Sequence, residues 1–201
     1  KFAKESEIDD IQFKAVVSWG DKMFPHYRKL IENHFKTEVF DSYGAAEGVM
    51  ISAECEEHKH HVMTPHVFIE LLDKDGNEVK PGELGEVVVT NLQNYLMPLI
   101  RYRIGDLAVK SENGEKCACG RNFPLLKKII GRDTDIVHTP NGKALIVHFF
   151  TGIFEHFPEI EQFQVIQLKD TSLEIKYIPG IDFHDSITHR IKQEIYKKAG
   201  E

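Results

Sequence analysis

Asp41-Ser42-Tyr43-Gly44-Ala45-Ala46-Glu47 is the stretch on which the reading of this chain turns. It follows an apolar pair, Val39-Phe40, and gives way to Val49-Met50-Ile51, so it reads as a loop on the end of a buried strand. Gly44 can take a positive φ and let a ligand approach the backbone. Ala45 and Ala46 keep the space beside it open. Tyr43 offers a flat face, and Glu47 a hard oxygen donor of the kind Mg²⁺ uses beside phosphate oxygens. A nucleoside triphosphate needs all three features, although a Tyr-Gly turn after a strand can equally be only a turn.

The flanking sequence supplies the fold. Ala15-Val16-Val17 reads as a buried strand ending at Ser18-Trp19-Gly20-Asp21. A helix opened by Pro25 follows, with Tyr27, Leu30, Ile31 and Phe35 on one side. Glu38 to Asp41 is the next strand. This βαβ unit, assigned to 11–50, predicts two parallel strands, and in such sheets ligands lie beyond the carboxyl ends. Gly20 and Tyr43-Gly44 should therefore face one crevice. From Pro65 the pattern changes to a small antiparallel β subdomain within 51–131: Val67, Ile69 and Leu71 alternate, Asp73 to Asn77 and Pro81-Gly82-Glu83 are turns, and strands follow at Glu86–Thr90 and Leu107–Val109. Gly131-Arg132-Asp133 marks a boundary. Beyond it, 132–201 reads as an α+β lid domain: a hairpin from Asp135 to Val147 around Thr139-Pro140-Asn141-Gly142, a helix rich in phenylalanine stopping at Pro158, two strands, and a last helix carrying Ile187, Ile191 and Ile195. The class is α/β plus α+β, and the phenylalanines are core.

The 201 residues, 41% apolar and 28% charged, suit a globular chain with a proper core. A net charge of −7 argues against nucleic acid as a partner. No apolar run approaches the ~20 residues of a membrane span, and the charged start is no signal peptide. The lack of an initiator Met and the polar, helix-like lead suggest a fragment of a longer protein. Three cysteines point to a reducing cytoplasm and to metal rather than a disulfide framework. Cys55, with His58, His60 and His61 after it, and Cys117-Ala118-Cys119-Gly120 form two ligand clusters. Cys55, His61, Cys117 and Cys119 would close a structural, tetrahedral Zn²⁺ site, with His58 the alternative to His61. The competing reading is buried free thiols beside a solvated His-rich turn. In Arg101-Tyr102-Arg103-Ile104-Gly105-Asp106-Leu107, Asp106 can accept from two ribose hydroxyls or simply pair with Arg101 or Arg103. Arg132 is a nucleotide contact or a solvated hinge charge.

Tyr43-Gly44-Ala45-Ala46-Glu47, Arg101 to Leu107 and Gly131-Arg132, taken in order, resemble the AMP-forming adenylate-forming superfamily, in its phenylacetate–CoA ligase branch. The cysteine and histidine pattern, with Cys117-Ala118-Cys119-Gly120-Arg121, is similar to zinc-containing members, including capsular polysaccharide biosynthesis homologues and coenzyme F390 synthetases. The resemblance implies that 1–131 is the C-terminal part of a large adenylation domain. Tyr43 would stack on adenine beside Gly44 and Ala45, Glu47 would hold catalytic Mg²⁺ at the triphosphate, Asp106 would bind the ribose, and Arg132 would reach the nucleotide from the hinge. Gly20 would sit near the adenine or acyl pocket. ATP, a small carboxylic acid and coenzyme A are the implied substrates, with Zn²⁺ structural; a homodimer stays open.

The chain departs from the family pattern in places. A phosphate loop would lie before Lys1, and the catalytic lysine is not recognisable in Lys197 to Glu201. Thr134 stands at the hinge between Asp133 and Asp135, and His138 to Lys143 lacks the usual glycine-rich lid motif, as in the capsule-associated subgroup. By itself the fragment should bind nucleotide weakly or not at all and should not turn over. The alternatives are a zinc-stapled interaction module with a vestigial site, and adenylyl transfer to a hydroxyl or cofactor.

Overall fold

The structure is a computed structural model describing residues 3, 6, 8, 10–133, 136–142, 144–169 and 172–200. Thr134, Asp135 and Lys143, and most of the polar lead, lie outside the described residues. The chain divides into two compact units, Lys1–Ile130 and Gly131–Glu201.

In the first unit, β1 (Val16–Ser18), helix α1 (Pro25–Phe35) and β2 (Val39–Ala45) form the expected βαβ, with β1 and β2 parallel and Val16 opposite Val39. Proline at the first turn of α1 costs no hydrogen bond, and Lys36 closes the helix in the left-handed region at φ 51°. Two details differ from the sequence reading. β1 is an edge strand, so Val17 is exposed rather than buried, as is Trp19 just beyond it. Tyr27 is likewise exposed, and α1 buries no residue completely.

The antiparallel β region does not form a sheet of its own. The antiparallel strands β3 (Val49–Glu54), β4 (His60–Val62), β5 (Val67–Leu72), β6 (Leu84–Asn91), β7 (Tyr102–Lys110) and β8 (Leu125–Arg132) continue the same sheet, in the order β1-β2-β3-β4-β8-β7-β6-β5. β2 pairs with β3 as a hairpin, so its far side is committed to an antiparallel neighbour and the parallel part ends there. Ile51, Val62, Val67, Val87, Val89, Ile104 and Ala108 form the buried core on this sheet, with Tyr43, Ala45 and Ile129 packed against it. Each such aliphatic side chain contributes about 1.5–3 kcal/mol on full burial.

In the second unit, β9 (Ile136–His138) and β10 (Ala144–Ile146) form the expected hairpin, followed by α2 (Val147–Phe154), the antiparallel pair β11 (Ile160–Lys169) and β12 (Ser172–Pro179), and α3 (Ser186–Ala199). Phe150, Phe154 and Phe157 are buried with Ile187 and Ile191, and Phe154 stacks on Phe163 with ring centroids 3.9 Å apart. Phe150 and Phe154 lie about one turn apart on α2, and Ile187 and Ile191 likewise on α3, so helical periodicity turns both pairs to this core.

Candidate functional site

The Tyr-Gly stretch is not a loop. β2 runs through Tyr43 and Gly44 to Ala45, with an irregularity in pairing at Tyr43/Gly44, and only Ala46-Glu47-Gly48 turns the chain into β3. Gly44 is not in the positive-φ region; instead the chain passes it closely. A Cβ there would lie 2.7 Å from the Val49 carbonyl oxygen and 3.3 Å from Trp19 Nε1. The glycine is required by a close approach of protein to protein. The contact with Trp19, together with the Ser42 hydroxyl donating to Ser18 O at 2.8 Å, brings the ends of β1 and β2 together, and Gly20 follows at φ +93°.

Asp106 likewise lies inside a strand. Opposite β7, Glu86 pairs with Leu107 and Val88 with Arg103, so the ladder is bulged where Gly105 takes φ 76°. Ile104 of this bulge is buried in the core, and the Asp106 carboxylate accepts a hydrogen bond from the Tyr43 hydroxyl at 2.7 Å. The two arginines considered as partners of Asp106 pair with other acids: Arg101 Nε donates to Glu70 at 3.0 Å and Arg103 pairs with Glu86. Glu47, in the turn after β2, accepts from the Tyr102 hydroxyl at 3.0 Å. Tyr43, Glu47 and Asp106 are thus drawn to one place, and Tyr102 is the member that sequence reasoning left without a role. Its signal was present, since Tyr43/Glu47 and Tyr102/Asp106 share the spacing Tyr-x-x-x-acid. Arg132 is the exposed last residue of β8, and the division between the two units falls just before Gly131.

Cys55, His61, Cys117 and Cys119 converge, with their ligand atoms all within 4.8 Å of one another. Cys55 Sγ lies 3.6 Å from Cys117 Sγ, and His61 Nε2 lies 3.3 Å from Cys119 Sγ. A disulfide would need about 2.05 Å. Two thiolates at ~2.3 Å from a tetrahedral zinc stand about 3.8 Å apart, so the spacing fits the metal. His61 Nδ1 lies 3.3 Å from the Phe123 carbonyl; donating there leaves the Nε2 lone pair aimed at the sulfurs, the usual arrangement of a metal-binding histidine. Alternation along β4 sends its neighbour to the other face. His60 meets Ser52 Oγ at 3.1 Å, and His58 lies in a left-handed turn against Arg28 and Glu54. A backbone hydrogen bond from Cys119 pulls the Cys117 thiol down, but burial and the sulfurs of Cys119 and Cys55 outweigh it and push it up to about 11.

Behind the cluster lies a network the sequence did not disclose. Arg28 reaches from α1 across β2, and one guanidinium nitrogen, Nη2, meets both Glu54 carboxylate oxygens at 2.9 and 2.7 Å, while Glu54 also accepts the Asp41 backbone N–H at 2.9 Å. Charge-assisted hydrogen bonds of this kind are shorter and stronger than neutral ones. Burial, then the charge of Glu54, pushes the Asp41 carboxyl above its ordinary value.

No family model matches the chain. Among curated proteins it is 34% identical over 134 residues to a phenylacetate–coenzyme A ligase of Thermus thermophilus, covering 64% of this chain and 30% of the relative. It is 26% identical over 187 residues to the phenylacetate–coenzyme A ligase of Escherichia coli K12, covering 84% and 42%. Among solved structures, a 2-hydroxyisobutyryl-CoA ligase bound to an acyl-AMP superposes with a TM-score of 0.75 at 19% identity, covering 98% of this chain and 46% of that one. The anthranilate CoA ligase AuaEII with anthranoyl-AMP superposes at 0.64 and 15% identity, covering 92% and 38%. The chain spans less than half the length of these relatives, matching the C-terminal portion of adenylate-forming CoA ligases.

Proposed function

We propose that this chain is the C-terminal part of an ATP-dependent, AMP-forming acid–CoA ligase, with residues 1–131 belonging to the large adenylation domain and 132–201 forming the lid. The observation that carries the reading is the 2.7 Å hydrogen bond between Tyr43 and Asp106, which unites two stretches 63 residues apart around one locus. Sequence similarity to phenylacetate–coenzyme A ligases supports it.

In the complete protein a carboxylate oxygen of the acid attacks the α-phosphorus of ATP, the bond to the β-phosphate oxygen breaks, and pyrophosphate leaves. The thiolate of coenzyme A then attacks the acyl carbon and AMP departs. The contribution of this chain is placement and charge. Tyr43 offers its ring to the adenine beside Gly44 and Ala45, Asp106 accepts from the ribose hydroxyls, and Arg132 is a candidate nucleotide contact. Gly20, at the end of β1, borders the same locus. Glu47 is the carboxylate for Mg²⁺, which supplies charge neutralisation at the triphosphate when bound. Cys55, His61, Cys117 and Cys119 hold a structural Zn²⁺, tying the turn after β3 to the loop before β8.

The test is pyrophosphate release by the full-length protein with ATP, Mg²⁺ and a panel of carboxylic acids. Release with at least one acid, with ATP binding lost in Asp106→Ala, is expected. No release with any acid, together with unchanged nucleotide binding in Asp106→Ala, would overturn the reading and leave a zinc-stapled module. Assay of acyl-CoA against other adenylylated products identifies the acceptor.

A further inference from the structure

Tyr43 is followed four residues later by Glu47, and Tyr102 four residues later by Asp106, yet each tyrosine bonds the acid of the other stretch: Tyr43 to Asp106 at 2.7 Å and Tyr102 to Glu47 at 3.0 Å. We propose that Tyr102 is a positioning residue for Glu47, holding its carboxylate in the direction from which a divalent cation on the triphosphate is taken. The inference rests on the function proposed above.

Glu47 needs such help. It sits in the short turn between β2 and β3, partly exposed, on a side chain with several rotamers to lose. Mg²⁺ demands near-ideal octahedral geometry and takes only one or two carboxylates beside phosphate, so the direction of the one oxygen matters. Tyr102 is anchored, because its backbone is paired with Val89 in the body of the sheet. Its hydroxyl bonds Oε1, which limits the rotation of the carboxylate.

The neighbours of Tyr102 explain why a tyrosine serves here. Arg101 and Arg103 flank it, and either cation beside Glu47 would compete with Mg²⁺ for the carboxylate. Both are turned to other acids, Glu70 and Glu86. The neutral phenol therefore fixes the oxygen without cancelling its charge. The crossed arrangement also links the cation side of the locus to the base and sugar side, since both tyrosine–acid bonds bridge the same two strand ends.

The experiment uses the full-length protein and measures ATP binding by calorimetry and pyrophosphate release, each as a function of Mg²⁺. Tyr102→Phe keeps the ring and removes the hydroxyl. Loss of one partly exposed hydrogen bond should raise the half-saturating Mg²⁺ concentration about two- to tenfold. The KM for the carboxylic acid should not move, and excess Mg²⁺ should restore much of the lost rate. In a Glu47→Gln background the same substitution should add no further shift, because its route through the carboxylate is already closed. An unshifted Mg²⁺ dependence in Tyr102→Phe, or shifts that add in the double variant, would overturn the positioning role while leaving the ligase reading intact. A wild-type protein that neither binds ATP nor releases pyrophosphate with any acid would overturn both.

Discussion

The Tyr43 hydroxyl reaches Asp106 Oδ2 at 2.7 Å, although β2 and β7 have β3, β4 and β8 between them in the sheet. The sheet must therefore curl enough to bring the inner faces of distant strands into contact, and the bond closes that curl. Tyr43→Phe removes the bond but keeps the ring. Hydrogen bonds to charged groups contribute about 1.5–3 kcal/mol, and partial exposure of this pair lowers the expected loss to about 1–2 kcal/mol in urea unfolding. In the full-length protein, Tyr43→Ala should weaken ATP binding more than Tyr43→Phe does, since a stacked base is worth about 1–3 kcal/mol. Equal losses in the two variants by calorimetry would remove the ring from the site.

The cysteine–histidine cluster predicts one tightly held zinc per chain, counted by atomic absorption. Cys55→Ser, Cys117→Ser, Cys119→Ser and His61→Asn should each release it, and chelation should lower Tm by many degrees because metal affinity and folding are linked. His58→Ala should keep the metal, as His58 faces Arg28 and Glu54 instead. Retention of zinc in His61→Asn with its loss in His58→Ala would reverse the assignment.

Gly44 should tolerate no side chain. A Cβ 2.7 Å from the Val49 carbonyl oxygen forces backbone to move, so Gly44→Ala should cost about 1–3 kcal/mol. Gly152 provides the contrast. It lies inside α2, where an added Cβ would meet nothing within 4 Å, and alanine there should stabilise by about 0.5–1 kcal/mol through helix propensity. Both are read from chemical unfolding, and a neutral Gly44→Ala would show that the hairpin can shift freely.

The sequence made the βαβ unit, the hairpins and the cysteine–histidine cluster legible through Pro25 at a helix start, Asn141-Gly142 in a turn, and two cysteines on one loop to be joined by a third far away. It did not reveal that Tyr43 and Asp106 lie within strands rather than after or before them. Both occur at irregularities, the step at Tyr43/Gly44 and the bulge around Gly105, where glycine imitates a turn while the ladder continues. Nor did it reveal that the antiparallel strands extend the first sheet, because the β4–β8 pairing joins His60 to Leu126 across three intervening strands with no local marker. Choosing between His58 and His61 needed the face of β4. Arg28 and Glu54 were missed for a similar reason: one lies on a helix and the other on a strand, and only the packing of α1 on the sheet makes them partners.

The network behind the cysteine–histidine cluster makes a prediction about pH. Burial, then repulsion from Glu54, raises the Asp41 carboxyl above its ordinary value, although Arg28 and the Ser42 backbone act the other way. The folded protein thus binds this proton more tightly than the unfolded chain. Stability at this position is greatest below the ordinary carboxylate range and falls as pH rises through that range to the raised value, after which the full cost persists. Asp41→Asn has no charge to bury, so it should be more stable than wild type at neutral pH. The gain should vanish as acid protonates Asp41 in the wild type. Urea unfolding of both proteins across that range measures it. A variant less stable than wild type at neutral pH would mean that attraction to Lys22, Arg28 and His60 outweighs the burial cost.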